Sequence, residues 1–479
     1  MHNWARLVST SVAAASAVAV AWAVAVAIAV VAVAPAVAEE APDLTLLGAR
    51  ARAMGGAYIA VADDVDAVGW NPAGLAEIKT PSLTAQSRLN FGSGIFTGGL
   101  ATFTTGGLAE SPVLNIKDSP GTRFTYYLIG GAAPLPIKGP AEKLGLVAAA
   151  SYRRLIDLFF RQEQLLEFDV GGGIVIPFEH IDDSNGGVDA FTLSLAGQVI
   201  PRLSLGLNVN LLTGFVENVD LSRVAFEGTE FFTLEQRTRR SVSGKSIELG
   251  ARIEVLPQVT VGGILRPGYD VEQKRGQGKF RQLISAGGPL PPTNVRDEFP
   301  IPGITNQIPT FYGVGIAATP VAGVTVAADF QYRPWNESLS VVHDLSGADI
   351  VVDSQLYEAH SFHLGGEYVF YRDREVKVPV RIGFRTAPTP LSNADSLSTE
   401  VANRFRTFRG DRIEANTLSG GVGIHFSTVG FDVSIDRTKL DFSEHSEFFP
   451  TPPPPGQPLR IVQIEETLTS LYFSSTLRF

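Results

Sequence analysis

From Arg202 to Leu211 the chain alternates, with Leu203, Leu205, Leu207 and Val209 on one side and Ser204, Gly206, Asn208 and Asn210 on the other. The same period runs through Ser246 to Val255, where Ile247, Leu249, Ala251, Ile253 and Val255 oppose Ser246, Glu248, Gly250, Arg252 and Glu254. Val324, Val326, Ala328 and Phe330 against Thr325, Ala327, Asp329 and Gln331 repeat it, as do Phe431, Val433 and Ile435 against Asp432, Ser434 and Asp436. Successive side chains of a strand point to opposite faces, so each segment presents one apolar and one polar or charged face. A transmembrane barrel uses that pattern, apolar toward lipid and polar toward the lumen, whereas a soluble sandwich core has no need of a charged face so regularly opposed.

The connections strengthen this reading. Tight turns at Ile200-Pro201-Arg202, Leu256-Pro257-Gln258, Pro320 to Gly323 and Ser427 to Gly430 alternate with long polar stretches near 215–241, 267–308, 336–358, 387–412 and 439–464. Short periplasmic turns and long external loops are the expected asymmetry of an outer-membrane barrel. Counting back from the C-terminus places downward strands near 122–133, 187–199, 242–256, 309–319, 359–370, 413–427 and 465–479. Upward strands fall near 81–91, 144–158, 203–214, 258–266, 323–333, 377–386 and 430–438. The fold class predicted is all-β, a transmembrane antiparallel β-barrel of about 14 strands, an even number as closure requires. Within 159–186, Phe168 to Phe178 reads either as loop or as a further hairpin. In the final strand Leu471, Phe473, Leu477 and the terminal Phe479 share one face, which resembles the signal read by the barrel assembly machinery, an expected partner during biogenesis.

Composition narrows the class. Beyond the first 40 residues no run of about 18 apolar residues occurs, which excludes a bundle of membrane helices. There are 48 Gly and 29 Phe but 2 Met and 0 Cys, a balance that suits strands and turns and removes disulfide and thiolate chemistry. A net charge of −10 argues against a nucleic-acid partner.

The chain opens with His2 and Arg6, then carries no charge from Leu7 to Val37, and Ala36-Val37-Ala38 precedes Glu39. This reads as a secretory signal over 1–38 with cleavage after Ala38. Residues 39–79 do not alternate, and the barrel is assigned to 80–479.

The 39–79 segment is rich in Gly and Ala and carries Met54-Gly55-Gly56-Ala57, Ala62-Asp63-Asp64 and Asn71-Pro72-Ala73-Gly74-Leu75 in that order. With Pro309 to Gly315 and Val378 to Gly383 further along, the chain resembles the FadL/TodX family of outer-membrane hydrophobic-compound transporters. The resemblance implies a 14-stranded barrel whose N-terminal segment folds back as a hatch inside the lumen. It also implies passive transport of hydrophobic small molecules such as long-chain fatty acids, captured by external loops. The alternative is a plugged barrel that serves as a docking or secretion partner. Small residues suit a compact plug, and Pro72 restricts Asn71 to extended or turn backbone. In the hatch motif, Met54, Gly55, Gly56, Asp63, Asp64, Asn71, Pro72 and Gly74 are read first as shaping the plug. Asp63, Asp64 and Asp66 lack the Gly and later Glu of a Ca²⁺ loop, so no metal is assigned. Gly171-Gly172-Gly173 lacks the helix and Lys of a phosphate cradle, so no nucleotide cofactor is assigned and transport is expected to be passive.

Alternation points Arg88, Asn208, Asn210, Glu248, Arg252, Asp329, His363, Glu367, Arg381, Arg385, His425, Asp432 and Asp436 into the lumen. Charges there pair with one another or with the plug, and for an amphipathic acid a guanidinium is the natural carboxylate partner. Arg381 and Arg385 are the leading candidates, with Arg252 and Arg88 after them. Phe226, Phe231 and Phe232, on an external connection, either line an outer capture groove or sit at the outer-membrane lipid interface. His363 and His425 have no serine placed beside them by the pattern, so no hydrolytic site is assigned and an enzyme is not expected.

Overall fold

The structure, a computed structural model, describes residues 47–98, 103–105, 108–110, 113–115, 123–158, 160–169, 175–226, 229–284, 293–353, 356–372, 376–387, 389–390, 411–445 and 461–479. The expected signal at 1–38 and its cleavage position lie outside the described residues.

Fourteen strands form a closed antiparallel barrel. In chain order they are β1 (Ser82–Gly98), β2 (Arg123–Pro134), β3 (Val147–Asp157), β4 (Val175–Ile200), β5 (Leu203–Phe226), β6 (Thr229–Leu256), β7 (Val259–Arg266), β8 (Phe311–Val321), β9 (Val324–Arg333), β10 (Ala359–Arg372), β11 (Val376–Thr386), β12 (Ala415–Phe426), β13 (Val429–His445) and β14 (Ile461–Arg478). Each pairs with the next, and β1 closes on β14 from Ser82 opposite Arg478 to Gly98 opposite Val462. Every strand that the sequence pattern placed is present.

The alternation decides which side each residue faces. Leu193, Leu207, Leu249, Val314, Leu364, Ile382 and Leu418 are exposed on the outside, while Asn208, Asn210, Glu248, Asp329 and Arg381 are buried inside. Among the described residues no helix is long and apolar enough to cross a membrane, and the apolar belt is carried by strands. The chain is a multi-pass outer-membrane β-barrel protein.

The long connections differ from the expectation. Where they are described, the segments near 215–241, 267–308 and 336–358 are mostly paired ribbons rather than loops. β4, β5 and β6 run for 26, 24 and 28 residues, although about ten cross a bilayer, and their far ends form a sheet outside it. Gly276–Ile284 pairs with β6, and Thr293–Ile301 pairs in turn with Gly276–Ile284. Phe160–Asp169 pairs with the start of β4, so the stretch at 159–186 holds the further hairpin. These ribbons carry polar groups on both faces, so nothing in their pattern separated them from loops. Most of 387–412 and 446–460 lies outside the described residues.

Candidate functional site

The N-terminal segment from Leu47 to Lys79 sits inside the barrel. It folds as two short helices, α1 (Ala49–Ala53) and α2 (Ala67–Trp70), and a 3-10 turn at Pro72–Glu77. Its small residues allow close approach, and the wall answers with glycines. A Cβ at Gly206 or Gly250 would overlap Asn71 to Ala73, one at Gly262 would strike Ile59, and one at Gly365 or Gly383 would strike Met54 and Gly55. Five strands of one arc therefore receive the inserted main chain where their side chains are missing.

The motif residues shape this segment. Gly55 and Gly56 take positive φ values of 66° and 79°, which suit glycine. A side chain at Gly74 would overlap the Ala62 carbonyl. Asn71 caps the 3-10 turn by accepting from the Ala73 amide, and Pro72 follows it at the first helical position. Met54 is fully buried. Asp63 pairs with Arg50 at 2.6 Å, and Asp64 accepts from the Tyr58 hydroxyl at 2.8 Å.

The inward charges predicted from the alternation meet partners, all but Arg88 at the level of this segment. Arg381 donates to Glu367 and to Asp432, both at 2.6 Å, and Asp432 also meets His425. Arg50 reaches the same Glu367 at 3.0 Å and so ties the insert to the wall. Arg385 shares Asp436 with Arg52 of α1. Arg252 holds Glu77 at 2.8 Å. Asp329 accepts the amides of Tyr58 and Ile59, and His363 meets the Gly55 carbonyl. Asn208 donates to the Val68 carbonyl and to Glu248, and Glu248 pairs with Arg153 at 2.7 Å. A barrel side chain buried in charge needs such pairing, because an unpaired one costs several kcal/mol, of the order seen when a buried pair is broken.

Four further arginines belong to this network beyond those the sequence pattern singled out: Arg50, Arg52, Arg153 and Arg266. The signal was present for the first pair, as the only cations of Ala49–Ala53. Arg153 shares inward parity with Ser151 on β3, and Arg266 with Ile264 on β7. Phe226, Phe231 and Phe232 fall on the outer ribbon of β5 and β6, and their side chains lie outside what is described.

Above the insert, on the side of the long ribbons, the lumen turns apolar. Leu155, Ile156, Val188, Ala190, Leu212, Val242, Val271, Ile308 and Trp335 form one buried cluster, with Tyr269 and Val216 packed against it. Arg333 closes one side, stacked on Phe311 and Trp335 at 5.0 and 5.1 Å. Below the insert, at the end of the short turns, lies a polar cavity of about 570 Å³ that includes Arg50, Asp63, Lys377 and Asp432 in its lining. Among the described residues no group of His, Cys, Asp and Glu is arranged to hold a metal ion.

The wall is open beside the apolar cluster. β2 and β3 pair from Pro134 opposite Val147 up to Leu128 opposite Arg153, and there the ladder stops. Arg123 to Tyr127 stay with β1, while Arg154 to Asp157 stay with β4 across a bulge at Leu155. Polar side chains span the parting: Asp157 receives Arg88, Tyr127 and Arg154 at 3.4, 3.2 and 3.2 Å, and Arg154 also meets Asp189 at 2.9 Å.

No family model matches the sequence. No curated protein matches it. Among solved structures it is similar to a FadL homologue of Pseudomonas aeruginosa, at 13% identity and a TM-score of 0.57 over 93% of this chain and 100% of that one. The toluene transporter TodX of P. putida aligns at 13% identity and a TM-score of 0.57, over 91% and 99% of the two chains. The toluene transporter TbuX of Ralstonia pickettii aligns at 14% identity and a TM-score of 0.53, again over 91% and 99%. At these identities the likeness establishes the fold, which is that of the FadL/TodX-type barrels.

Proposed function

We propose that this barrel carries hydrophobic small molecules passively across the outer membrane. The observation that carries the reading is the apolar cluster of Leu155, Ile156, Val188, Ala190, Leu212 and Val242, enclosed in a lumen that is otherwise charged and bordering the parting of β2 and β3. A polar pore has no use for such a cluster, whereas an apolar ligand gains roughly 25 cal/mol per Å² buried there. The solved structures with this fold include a FadL homologue and toluene transporters, which agrees with a hydrophobic cargo. Ligand enters past the outer ribbons, rests on the cluster above the insert, and leaves sideways between β2 and β3. The insert acts as a hatch over 39–79 that keeps the lumen shut to water and ions. For cargo with a carboxylate, such as a long-chain fatty acid, Arg88 stands beside the parting and Arg333 beside the cluster. Arg252, Arg381 and Arg385 lie lower and hold the insert.

The test is uptake of a labelled hydrophobic compound by cells that depend on this barrel. Val242→Asp places a carboxylate in the cluster and is expected to cut uptake at least tenfold while heat-modifiable gel migration stays normal. Unchanged uptake would remove the reading. The length of β4, β5 and β6 outside the membrane favours one second reading, a barrel that docks a partner on its outer sheet. Under that reading the Val242→Asp protein keeps its full activity.

A further inference from the structure

The outward face of the sheet formed by β6, Gly276–Ile284 and Thr293–Ile301 sets cation directly against cation. Arg237 stands opposite Lys279, and Arg281 stands opposite Arg296. All four are exposed. Side chains directly opposite in antiparallel strands have Cβ atoms about 4.5–5.5 Å apart, and like charges so placed repel. Arg239 lies on the same face of β6, two residues from Arg237. Three carboxylates share the face: Glu298 stands opposite Lys279 on its other side at 3.5 Å, Glu235 stands opposite Arg281 and meets Arg237 at 3.7 Å, and Glu217 meets Arg239 and Arg237 at 3.1 and 3.4 Å. Five cations against three carboxylates leave the face positive, and each row with a like-charge pair holds, across the three strands, two adjacent cations for one carboxylate.

The height of the face identifies what it meets. The register of β6 against β5 is unbroken from Ile253 to Phe232, so facing is preserved along it. Going outward on one face the residues are Val255, Ile253, Ala251, Leu249 and Ile247, all apolar, then Lys245, Ser243, Ser241, Arg239 and Arg237. At about 3.3 Å per residue and a tilt of about 40°, Arg237 and Lys279 lie roughly 20 Å above Lys245, where the apolar belt ends, and Arg281 and Arg296, level with Glu235, roughly 25 Å above it. That is the depth of a sugar and phosphate layer, beyond the acyl chains.

We propose that this face binds the phosphorylated saccharide headgroup of a glycolipid in the outer leaflet. One phosphate sits between Arg237 and Lys279 and another between Arg281 and Arg296. The anions relieve both repulsions and fasten the outer sheet to the membrane surface. The proposal is independent of what the lumen carries, since the face points away from it.

The test uses the full-length barrel in detergent, titrated with purified phosphorylated glycolipid and with the same lipid after phosphatase treatment. Each cation near an anionic membrane surface contributes on the order of 1 kcal/mol, so Arg237→Ser with Lys279→Ser is expected to weaken binding roughly 30-fold. Arg281→Ser with Arg296→Ser is expected to match it. Equal binding of the phosphatase-treated lipid, unchanged binding by both variants, or full displacement of the lipid by inorganic phosphate at the same concentration would each overturn the proposal.

Discussion

The Asn71 side-chain amide donates to the Ala251 carbonyl of β6 at 2.9 Å and to the Ile59 carbonyl of the insert at 2.9 Å. One amide thus closes the insert on itself and fastens it to the wall. The Ile59 carbonyl is buried and the Ala251 carbonyl partly so, and losing the donor leaves both acceptors without it.

Asn71→Ala combined with Pro72→Ala is therefore expected to loosen the insert by roughly 2–4 kcal/mol while strand content stays constant. Planar-bilayer recordings should show frequent openings in a barrel that is otherwise quiet. Silence of the double variant at all voltages would mean that the insert does not depend on this amide.

A wall substitution should do the same from the other side. Gly383 approaches the Met54–Gly55 backbone so closely that any Cβ overlaps it. Gly383→Val leaves β11 free to pair, and overpacking of this kind costs about 1–3 kcal/mol. Higher conductance with unchanged gel migration is expected. Gly366 is a fair control, since a Cβ there meets only the edge of Ile382 at 3.9 Å, and Gly366→Ala should be silent.

Asp66 gives the insert a pH dependence of known sign. Burial pushes its carboxyl well above the ordinary value of 3.8, the neighbouring charge of Asp64 adds to this, and the hydrogen bond from Gln86 opposes it. The docked insert therefore binds a proton at Asp66 more tightly than a released one. This contribution favours docking below the ordinary aspartate value and is lost as pH rises toward the raised one. Asp66→Asn keeps an oxygen for Gln86 and removes the charge, so at neutral pH the variant should dock at least as firmly as the parent. Comparing opening frequency of the two proteins between pH 4 and 8 isolates the residue. A variant that opens more often at neutral pH would contradict the sign.

The strands were legible because lipid on one side and charge on the other enforce a period of two, as in Leu203 to Asn210. The same rule placed Glu367, Arg381 and Asp432 inside, but it says nothing about which carboxylate each guanidinium meets across strands. The outer ribbons escaped because water bathes both faces of residues such as Glu217 to Arg223, and no alternation of burial marks them. Leu155 and Ile156 were hidden for a different reason. The bulge between Arg154 and Ile156 turns two consecutive residues inward, which a strict two-residue rhythm assigns to opposite sides.

The parting of β2 and β3 yields the prediction that separates a sideways exit from one through the insert. The sequence has 0 Cys, so introduced thiols react without competition. Thr125 and Ile156 would face each other if the ladder continued beyond Leu128 and Arg153, and both are buried on the inner side. Thr125→Cys with Ile156→Cys, joined by a short cleavable bis-thiol reagent, ties the two strands across the gap. The side chains that hold the insert, among them Gln86 of β1, Asn208 of β5, Asp329 of β9 and Asp436 of β13, lie on strands other than β2 and β3, so the tie leaves them in place and bilayer conductance should not change. Uptake of a labelled hydrophobic compound should fall several-fold on cross-linking and return when the reagent is cleaved. If uptake persists with mass spectrometry showing complete cross-linking, ligand does not leave between these strands. The insert would then have to move for passage, and the Asn71 and Gly383 variants would change transport as well as conductance.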